Sequence, residues 1–368
     1  MASKLALLMI AGLILTSCKE TDQKSNNLVL GYTAQNTISA PGYALKIVSW
    51  DSTVLEEYKG VKDISSGQKI NAQSLFNTGS ISKTFVAYAI LNLAFDQKLS
   101  LSDSIIKFFP DFKNKEIGKK VKIYHLLTHS SGLPDNRHPY QDSVYYLTAD
   151  DAQNWAPIMT TDSLEFEPGS RYNYSNPAFN ALALIIQQVT GLKWQDYIKI
   201  KIFTISGMKM STITDGSHPA SGVSHAYLPI GDTWTERDYG EEPTFNAAGN
   251  GGVWSNVNEL YFYEKAIHSN SFADAEINLL SRTIYPLPNW ADSIPSQMGL
   301  SWFISKFNGH TMYSHTGSQG GFTSDFVSIP EEGFFYCILS NVPLEILGTR
   351  RNVLNYALDR GWIKNERK

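Results

Sequence analysis

The hydrophobic period of this chain changes twice, and that order constrains its fold more than any single motif does. Near the N-terminus, Ala44-Leu45-Lys46-Ile47-Val48-Ser49-Trp50 and Val54-Leu55-Glu56-Glu57-Tyr58 flank the turn formers Asp51-Ser52, which predicts a β-hairpin. The middle turns helical. Lys83 to Phe95 carries Phe85, Tyr88, Ala89 and Leu91 at helical spacing, Pro177 to Val189 opens on a helix-starting Pro and stops at Gly191, and a further helix runs from about Trp194 to Phe203. Strand patterns return at His310 to Ser314, Gly321 to Ser328 and Phe334 to Ser340, with the turn Pro330-Glu331-Glu332-Gly333 between the last two. An amphipathic helix, about Leu347 to Leu358, closes the chain. Strands at both ends with helices between them give an α/β (α+β) architecture: one antiparallel sheet assembled from both termini, about 28–75 and 300–368, with an all-helical lobe inserted at about 76–299. The junction of the two lobes is the expected site.

Charge and cysteine content exclude several function classes. Lys plus Arg number 31 against 35 Asp plus Glu, a net charge of −4, so the basic footprint that nucleic-acid binding needs is missing. Two cysteines in 368 residues cannot build a disulfide scaffold or a four-cysteine zinc site. Cys337 falls in the apolar run Gly333 to Leu339 and reads as a core thiol. Cys18 is different. It follows Lys4, the unbroken apolar run Leu5 to Leu15, and Thr16-Ser17, the order of an export signal with a small-residue cleavage site. An apolar run of that length is too short to span a bilayer. A cysteine in this place resembles the lipobox of bacterial lipoproteins. Residues 1–17 are therefore expected to be a signal peptide, Cys18 a lipidated residue, and polar residues 18–27 a tether to a body at 28–368 in the cell envelope, with the membrane as partner through the anchor.

Chemistry concentrates in three short segments. Ser80-Ile81-Ser82-Lys83 places a hydroxyl and an amine on adjacent turns of one helix face. At a helix start, the Ser80 N–H and the helix dipole favour a developing oxyanion, and the same positive field helps Lys83 act as a neutral base. The spacing recurs at Ser66/Lys69, Ser104/Lys107 and Ser206/Lys209, but only Ser80 follows a glycine after an apolar approach and begins a long apolar helix. Tyr174-Ser175-Asn176 precedes the Pro177 helix, where a phenol can shuttle a proton and an amide can hold a carbonyl. His315-Thr316-Gly317, followed by Ser318-Gln319-Gly320-Gly321, stands at the end of an expected strand where small residues admit a ligand.

In this order, Ser80-x-x-Lys83, Tyr174-x-Asn176 and His315-Thr316-Gly317 resemble the serine β-lactamase and penicillin-binding-protein superfamily, in particular its class C-like branch of D-alanyl-D-alanine carboxypeptidases, D-aminopeptidases and esterases. His125-Leu126-Leu127-Thr128-His129-Ser130-Ser131-Gly132-Leu133 and Gly249-Asn250-Gly251-Gly252-Val253-Trp254-Ser255 are similar to its accessory motifs, and the likeness runs from about Gly42 to the last helix. The resemblance implies a β-lactamase/transpeptidase-like fold, Ser80 as acylated nucleophile, Lys83 as activating amine, Tyr174 as general base, and an oxyanion hole of the Ser80 and Ser318 amides. Asn176, His315, Thr316, Gly317 and Ser318 would hold a small-molecule or peptide substrate, and no cofactor or metal is expected. Members active on β-lactams commonly carry Lys where this chain has His315. A histidine of ordinary pKa, near 6.5, is mostly neutral at pH 7 and would gain charge only below that range. Peptidase or esterase activity is thus expected ahead of β-lactamase activity.

Rival readings leave weaker traces. No Gly-x-Ser-x-Gly elbow is present. His125 and His129 have zinc-pair spacing without Glu at 126 or an evident third ligand, so they read as structural. A non-catalytic sensor or binding lipoprotein remains an alternative, although Ser80, Lys83 and Tyr174 are all intact. Lipidation has a direct test: labelled palmitate should enter the wild type and be lost in Cys18→Ser, and equal detergent partitioning of the two proteins would instead indicate simple secretion.

Overall fold

The computed structural model describes residues 28–32, 40–137, 149–213, 218–231, 233–236, 249–287 and 296–365. The expected signal peptide, Cys18 and the tether lie outside the described residues. A seven-stranded antiparallel sheet joins the two ends of the chain. Its strands are β1 (Tyr43–Ser49), β2 (Ser52–Lys59), β3 (Ser296–Met298), β4 (Phe303–Phe307), β5 (His310–Gln319), β6 (Phe322–Ile329) and β7 (Phe334–Ser340), in the spatial order β3-β4-β5-β6-β7-β1-β2. The expected hairpin is β1–β2, turned at Trp50 and Asp51, both with positive φ. β1 then closes on β7, with Tyr43 opposite Ser340 and Ser49 opposite Phe334.

Both faces of this sheet are covered, which accounts for the continuous apolar run in β7. Phe335, Cys337 and Leu339 pack toward the inserted helices, while Phe334, Tyr336 and Ile338 pack with Val353, Leu354 and Ala357 of the C-terminal helix. Period-two alternation thus appears as two apolar faces instead of one apolar and one polar face. Cys337 is buried and unpaired, as expected of a core thiol. The C-terminal helix, Ile346–Asp359, is pinned by Arg350, whose guanidinium bonds both oxygens of the fully buried Asp325 on β6.

The insertion supplies four helices that matter here: α1 (Ser82–Phe95), α2 (Asp151–Met159), α3 (Asn176–Thr190) and α4 (Val257–His268), with α5 being Ile346–Asp359. α1 is buried on nearly every side, with ten consecutive residues from Ser82 to Leu91 inside, as expected of a central helix apolar all round. α3 starts with Ser175 as N-cap, whose hydroxyl accepts from Ala178 N, and stops at left-handed Gly191. The helix expected over 194–203 runs from Trp194 to Ser206 but widens to π geometry at Lys199–Phe203. The insertion also contains β structure: Phe76–Asn77 and Thr212–Ile213 flank Val253–Ser255 in a short ladder, and Tyr227–Ile230 pairs with Thr233–Glu236. The ladder through Val253–Ser255 ties the segment before α1 to a segment more than 170 residues later.

One strand is longer than its sequence pattern. The segment expected to end at Ser314 continues to Gln319, so His315, Thr316, Gly317 and Ser318 lie within β5. Their small and polar side chains show no alternation, yet their backbone is fully laddered against Phe322 to Phe326 of β6. On the other side, β4 pairs with β5 only as far as Ser314. Among the described residues, the stretch from His315 to Gln319 therefore has one edge without a paired strand.

Candidate active site

Ser80 sits in a 3-10 turn, Gly79–Ile81, that leads directly into α1. Three bonds fasten this turn to the Val253 segment: Thr78 N and Thr78 Oγ1 both donate to Val253 O, at 2.9 and 3.0 Å, and Val253 N donates to Ser82 Oγ at 3.0 Å. The turn also touches β5 backbone to backbone. A Cβ on Gly317 would come within 2.1 Å of Thr78 O and 3.1 Å of Ser80 N, and one on Gly79 within 2.8 Å of Ser318 N. Glycine at both places brings the Ser80 and Ser318 amides side by side, a pair able to hold an oxyanion.

Lys83 is 0% exposed. Its Nζ lies 2.9 Å from Ser80 Oγ and donates to the carbonyl of Asn250 at 2.7 Å, between the rings of Tyr174 and Phe179, whose centroids are 5.1 and 5.7 Å away. Burial, reinforced by the positive charge of Arg137, drives its pKa well below the usual lysine range. Among the described residues no carboxylate pairs with it. A neutral amine in this position gives one N–H to Asn250 and keeps its lone pair for the Ser80 proton. The other Ser-x-x-Lys matches differ: Lys69, Lys107 and Lys209 are exposed, and Lys107 pairs with Asp103.

Tyr174 precedes α3, with its phenol against the Ser80 hydroxyl. Burial of the phenol pushes its pKa up to about 12, partly offset by that hydrogen bond, so it enters the reaction protonated. Its ring stacks on His129 at 4.2 Å between centroids and 24° between planes. His129 takes a left-handed backbone, φ 54°, and accepts from Ser175 N through Nδ1 at 3.0 Å, which fixes the loop carrying Tyr174. Burial first, then Lys83 and His315, keeps the His129 imidazole neutral. His125 accepts from Lys122 N at 3.0 Å at the start of the helix Ile123–Leu127. Both histidines of the accessory motif thus shape local backbone.

Ser80 and Tyr174 line a cleft of about 1030 Å³ together with Asn176, His315, Thr316, Gly317 and Ser318, with Lys83 buried beside Ser80, so the structure brings the sequence-predicted residues together. His315 requires a correction. An ordinary imidazole titrating near pH 6.5 was expected, but the ring is 1% exposed, and burial followed by the charge of Lys83 pushes its pKa down to about 3. It therefore gains no positive charge on mild acidification, and its Nδ1 lies 2.7 Å from Thr316 O.

Three parts of the site leave no mark in short motifs. The Asn250 acceptor is a backbone carbonyl and carries no side-chain signature. Arg137 lines the cleft at 2% exposure, with Nε and Nη2 donating to the two Asp135 oxygens at 2.7 and 2.6 Å and Nη1 donating to Asn154 at 2.7 Å. The stacking of His129 on Tyr174 joins motifs 45 positions apart. Both segments were singled out in the sequence, but nothing in either shows that the two rings meet.

Comparison with known proteins places this site in context. The family model described as Beta-lactamase matches residues 32–355. Penicillin-binding protein 4* of Bacillus subtilis (strain 168) is 27% identical over 225 residues, covering 58% of this chain and 49% of the relative, so the chain spans about half of that protein's length. Among solved structures, the octameric penicillin-binding protein homologue from Pyrococcus abyssi superposes with a TM-score of 0.77 at 23% identity, covering 97% of this chain and 78% of that one. The D-amino acid amidase from Ochrobactrum anthropi SV3 gives 0.77 at 18% identity, covering 93% and 99%. These likenesses show the β-lactamase/transpeptidase-like fold.

The close approach at Gly317 generates a sharp expectation. Gly317→Ala inserts a methyl where Thr78 O and Ser324 Oγ already stand, at 2.1 and 2.3 Å, and must push β5 away from the Ser80 turn. Displacing one of two oxyanion donors should lower kcat about 10²- to 10³-fold in a protein that circular dichroism shows to be folded. Wild-type kcat in that folded variant would mean the Ser318 amide has no part in the reaction.

Proposed function

From the premise that this chain belongs to the Beta-lactamase family, we propose that it is a serine hydrolase that cleaves amides or esters through an acyl-enzyme on Ser80. The observation that carries the reading is the Lys83 amine, fully buried, unpaired with any described carboxylate and 2.9 Å from the Ser80 hydroxyl. Ser80 Oγ attacks the substrate carbonyl while its proton passes to the Lys83 lone pair. The Ser80 and Ser318 amides receive the oxyanion. Tyr174, protonated and beside Ser80, relays that proton to the leaving amine or alkoxide as the C–N or C–O bond breaks. Water then attacks the acyl carbonyl, gives up its proton along the same path, and releases Ser80 and the carboxylic acid product. Lys83 is the resident base in this scheme, because a phenol of pKa about 12 is almost wholly protonated at neutral pH.

D-amino-acid peptides, their amides or small esters are the proposed substrates. An amidase and penicillin-binding homologues among the structural neighbours support this class. The free edge of β5 offers backbone groups to an extended acyl donor, and Asn176 stands at the start of α3 to hold its carbonyl. His315 is neutral, and the Arg137 charge is matched by Asp135, so the cleft offers a carboxylate less than a lysine in place of His315 would. The proposed workplace is the cell envelope, with the body held through Cys18. The segment before the body, with its apolar run Leu5 to Leu15 and Cys18, supports that placement.

A fluorophosphonate should label the wild type, and Ser80→Ala should lose both labelling and turnover of a p-nitrophenyl ester. The ester should be cleaved with a higher kcat/KM than a chromogenic cephalosporin, by a ratio that stays level from pH 8 to pH 5 because His315 remains neutral throughout. Labelling that persists in Ser80→Ala contradicts the nucleophile. Equal cleavage of the cephalosporin at pH 8 contradicts the substrate class.

A further inference from the structure

The Lys83 acceptor belongs to a loop that also bonds to one buried acid. Gly249-Asn250-Gly251 is pressed between α3 and β5: a Cβ on Gly249 would lie 2.6 Å from both Ala183 Cβ and Phe179 O, and one on Gly251 would lie 2.0 Å from the Gln319 side-chain oxygen. Packing at both glycines limits where the loop can go. It does not set the direction of the Asn250 carbonyl.

That direction is set from α2. Two acids open this helix and do different work. Asp150 is its N-cap and accepts from Gln153 N, whereas Asp151 turns inward and is 6% exposed. Asp151 Oδ1 accepts from Gly249 N at 2.8 Å and Asn180 Nδ2 at 2.7 Å, and Oδ2 accepts from Trp194 Nε1 at 2.8 Å. Asn180, fully buried on α3, in turn accepts from Asn250 Nδ2 at 3.3 Å. The main chain of residue 249 and the side chain of residue 250 are thus moored to one carboxylate, and the Asn250 carbonyl that follows them meets Lys83 Nζ at 2.7 Å.

We infer that Asp151 is a positioning residue for the hydrolysis, holding the Asn250 carbonyl so that the Lys83 lone pair points at Ser80. Among the described residues three donors and no acceptor bond this carboxyl, which suits its ionised form. Burial works the other way and pushes its pKa up to about 7, with Asp150 adding to the rise. A fully buried acid serving α2 alone would have no need of a bond to Gly249, 98 residues away. The inference rests on the proposed Ser80–Lys83 chemistry.

Asp151→Asn keeps the shape of the side chain but sets an amide N–H2 against one of the three donors. On a p-nitrophenyl ester, kcat should fall about 10- to 100-fold with KM within about twofold, the scale of a misaligned catalytic group. The acidic limb of the kcat profile should also move to lower pH. The aligned Asn250 carbonyl favours the protonated amine, and losing it lets Lys83 release its proton sooner. Around Lys83, Arg137 is the facing cation, His129 and His315 are neutral, and Tyr174 is protonated, so none of them reverses that sign. Should Asp151→Asn fail to fold, Asn180→Ala removes the Asn250 mooring and should give the same two changes. Wild-type kcat and an unmoved limb in folded Asp151→Asn, or in Asn180→Ala standing in for it, would overturn the inference, even if thermal stability drops. Ser80→Ala separates the two levels: activity surviving there defeats the hydrolase reading itself, while its loss beside unaltered Asp151→Asn defeats only the role of Asp151.

Discussion

Burial of one amine governs the rest of this structure. An ammonium moved from water into a protein interior without a counterion loses several kcal/mol of solvation, so a lysine in such a place gives up its proton. Lys83 is in that position: it has no exposed surface, two aromatic rings beside it, a serine hydroxyl and a carbonyl for partners, and Arg137 as the facing charge. The arrangement costs stability at neutral pH, because the unfolded chain would hold the proton that the folded chain releases. Stability from this group therefore rises with pH between the lowered folded value and the ordinary lysine value near 10.5. In the proposed reaction, what the fold gains is a base already stripped of its proton at the hydroxyl it would activate.

Holding that base in place requires segments far apart in sequence. The 3-10 turn carries Ser80 and α1 carries Lys83 at their fixed spacing, but the acceptor that orients the amine comes from residue 250, and the second amide of the proposed oxyanion site from residue 318. Glycines make the joins: Gly79 against Ser318, Gly317 against Thr78, Gly249 against α3 and Gly251 against Gln319. Each is a place where a Cβ would separate two elements that the chemistry needs in contact. The double-faced sheet holds these segments at fixed distances, with α5 anchored through Arg350 and Asp325 on one side and the helical insertion on the other.

What could be read from the sequence follows the range of the interactions involved. Ser80, Lys83, Tyr174 and Asn176 stood out because local spacing on a helix face or before a helix start leaves a pattern. The terminal strands were legible for the same reason, since Phe334 to Ser340 is an uninterrupted apolar run. The end of β5 was not, because Thr316-Gly317-Ser318-Gln319 pairs through its backbone and has no alternating side chains to show it. His315 was correctly placed in the cleft but given an ordinary titration, since burial to 1% depends on elements the local sequence does not name. The Asn250 carbonyl, Arg137 and the Asp151 mooring escaped for that reason too. The Asn250 and Asp151 contacts join elements distant in the chain, and the Asn250 acceptor is a main-chain atom that no side chain announces.

The central claim is that Lys83 stands unprotonated beside Ser80 at the pH where the protein works. Its most direct measurement is the pH titration of the Lys83 side chain by NMR, following 13Cε in lysine-labelled protein and assigning the resonance by its loss in Lys83→Arg. The account predicts a midpoint well below 10.5. A resonance that remains that of an ammonium up to pH 10 would contradict it, and the proton of Ser80 would then need a different acceptor.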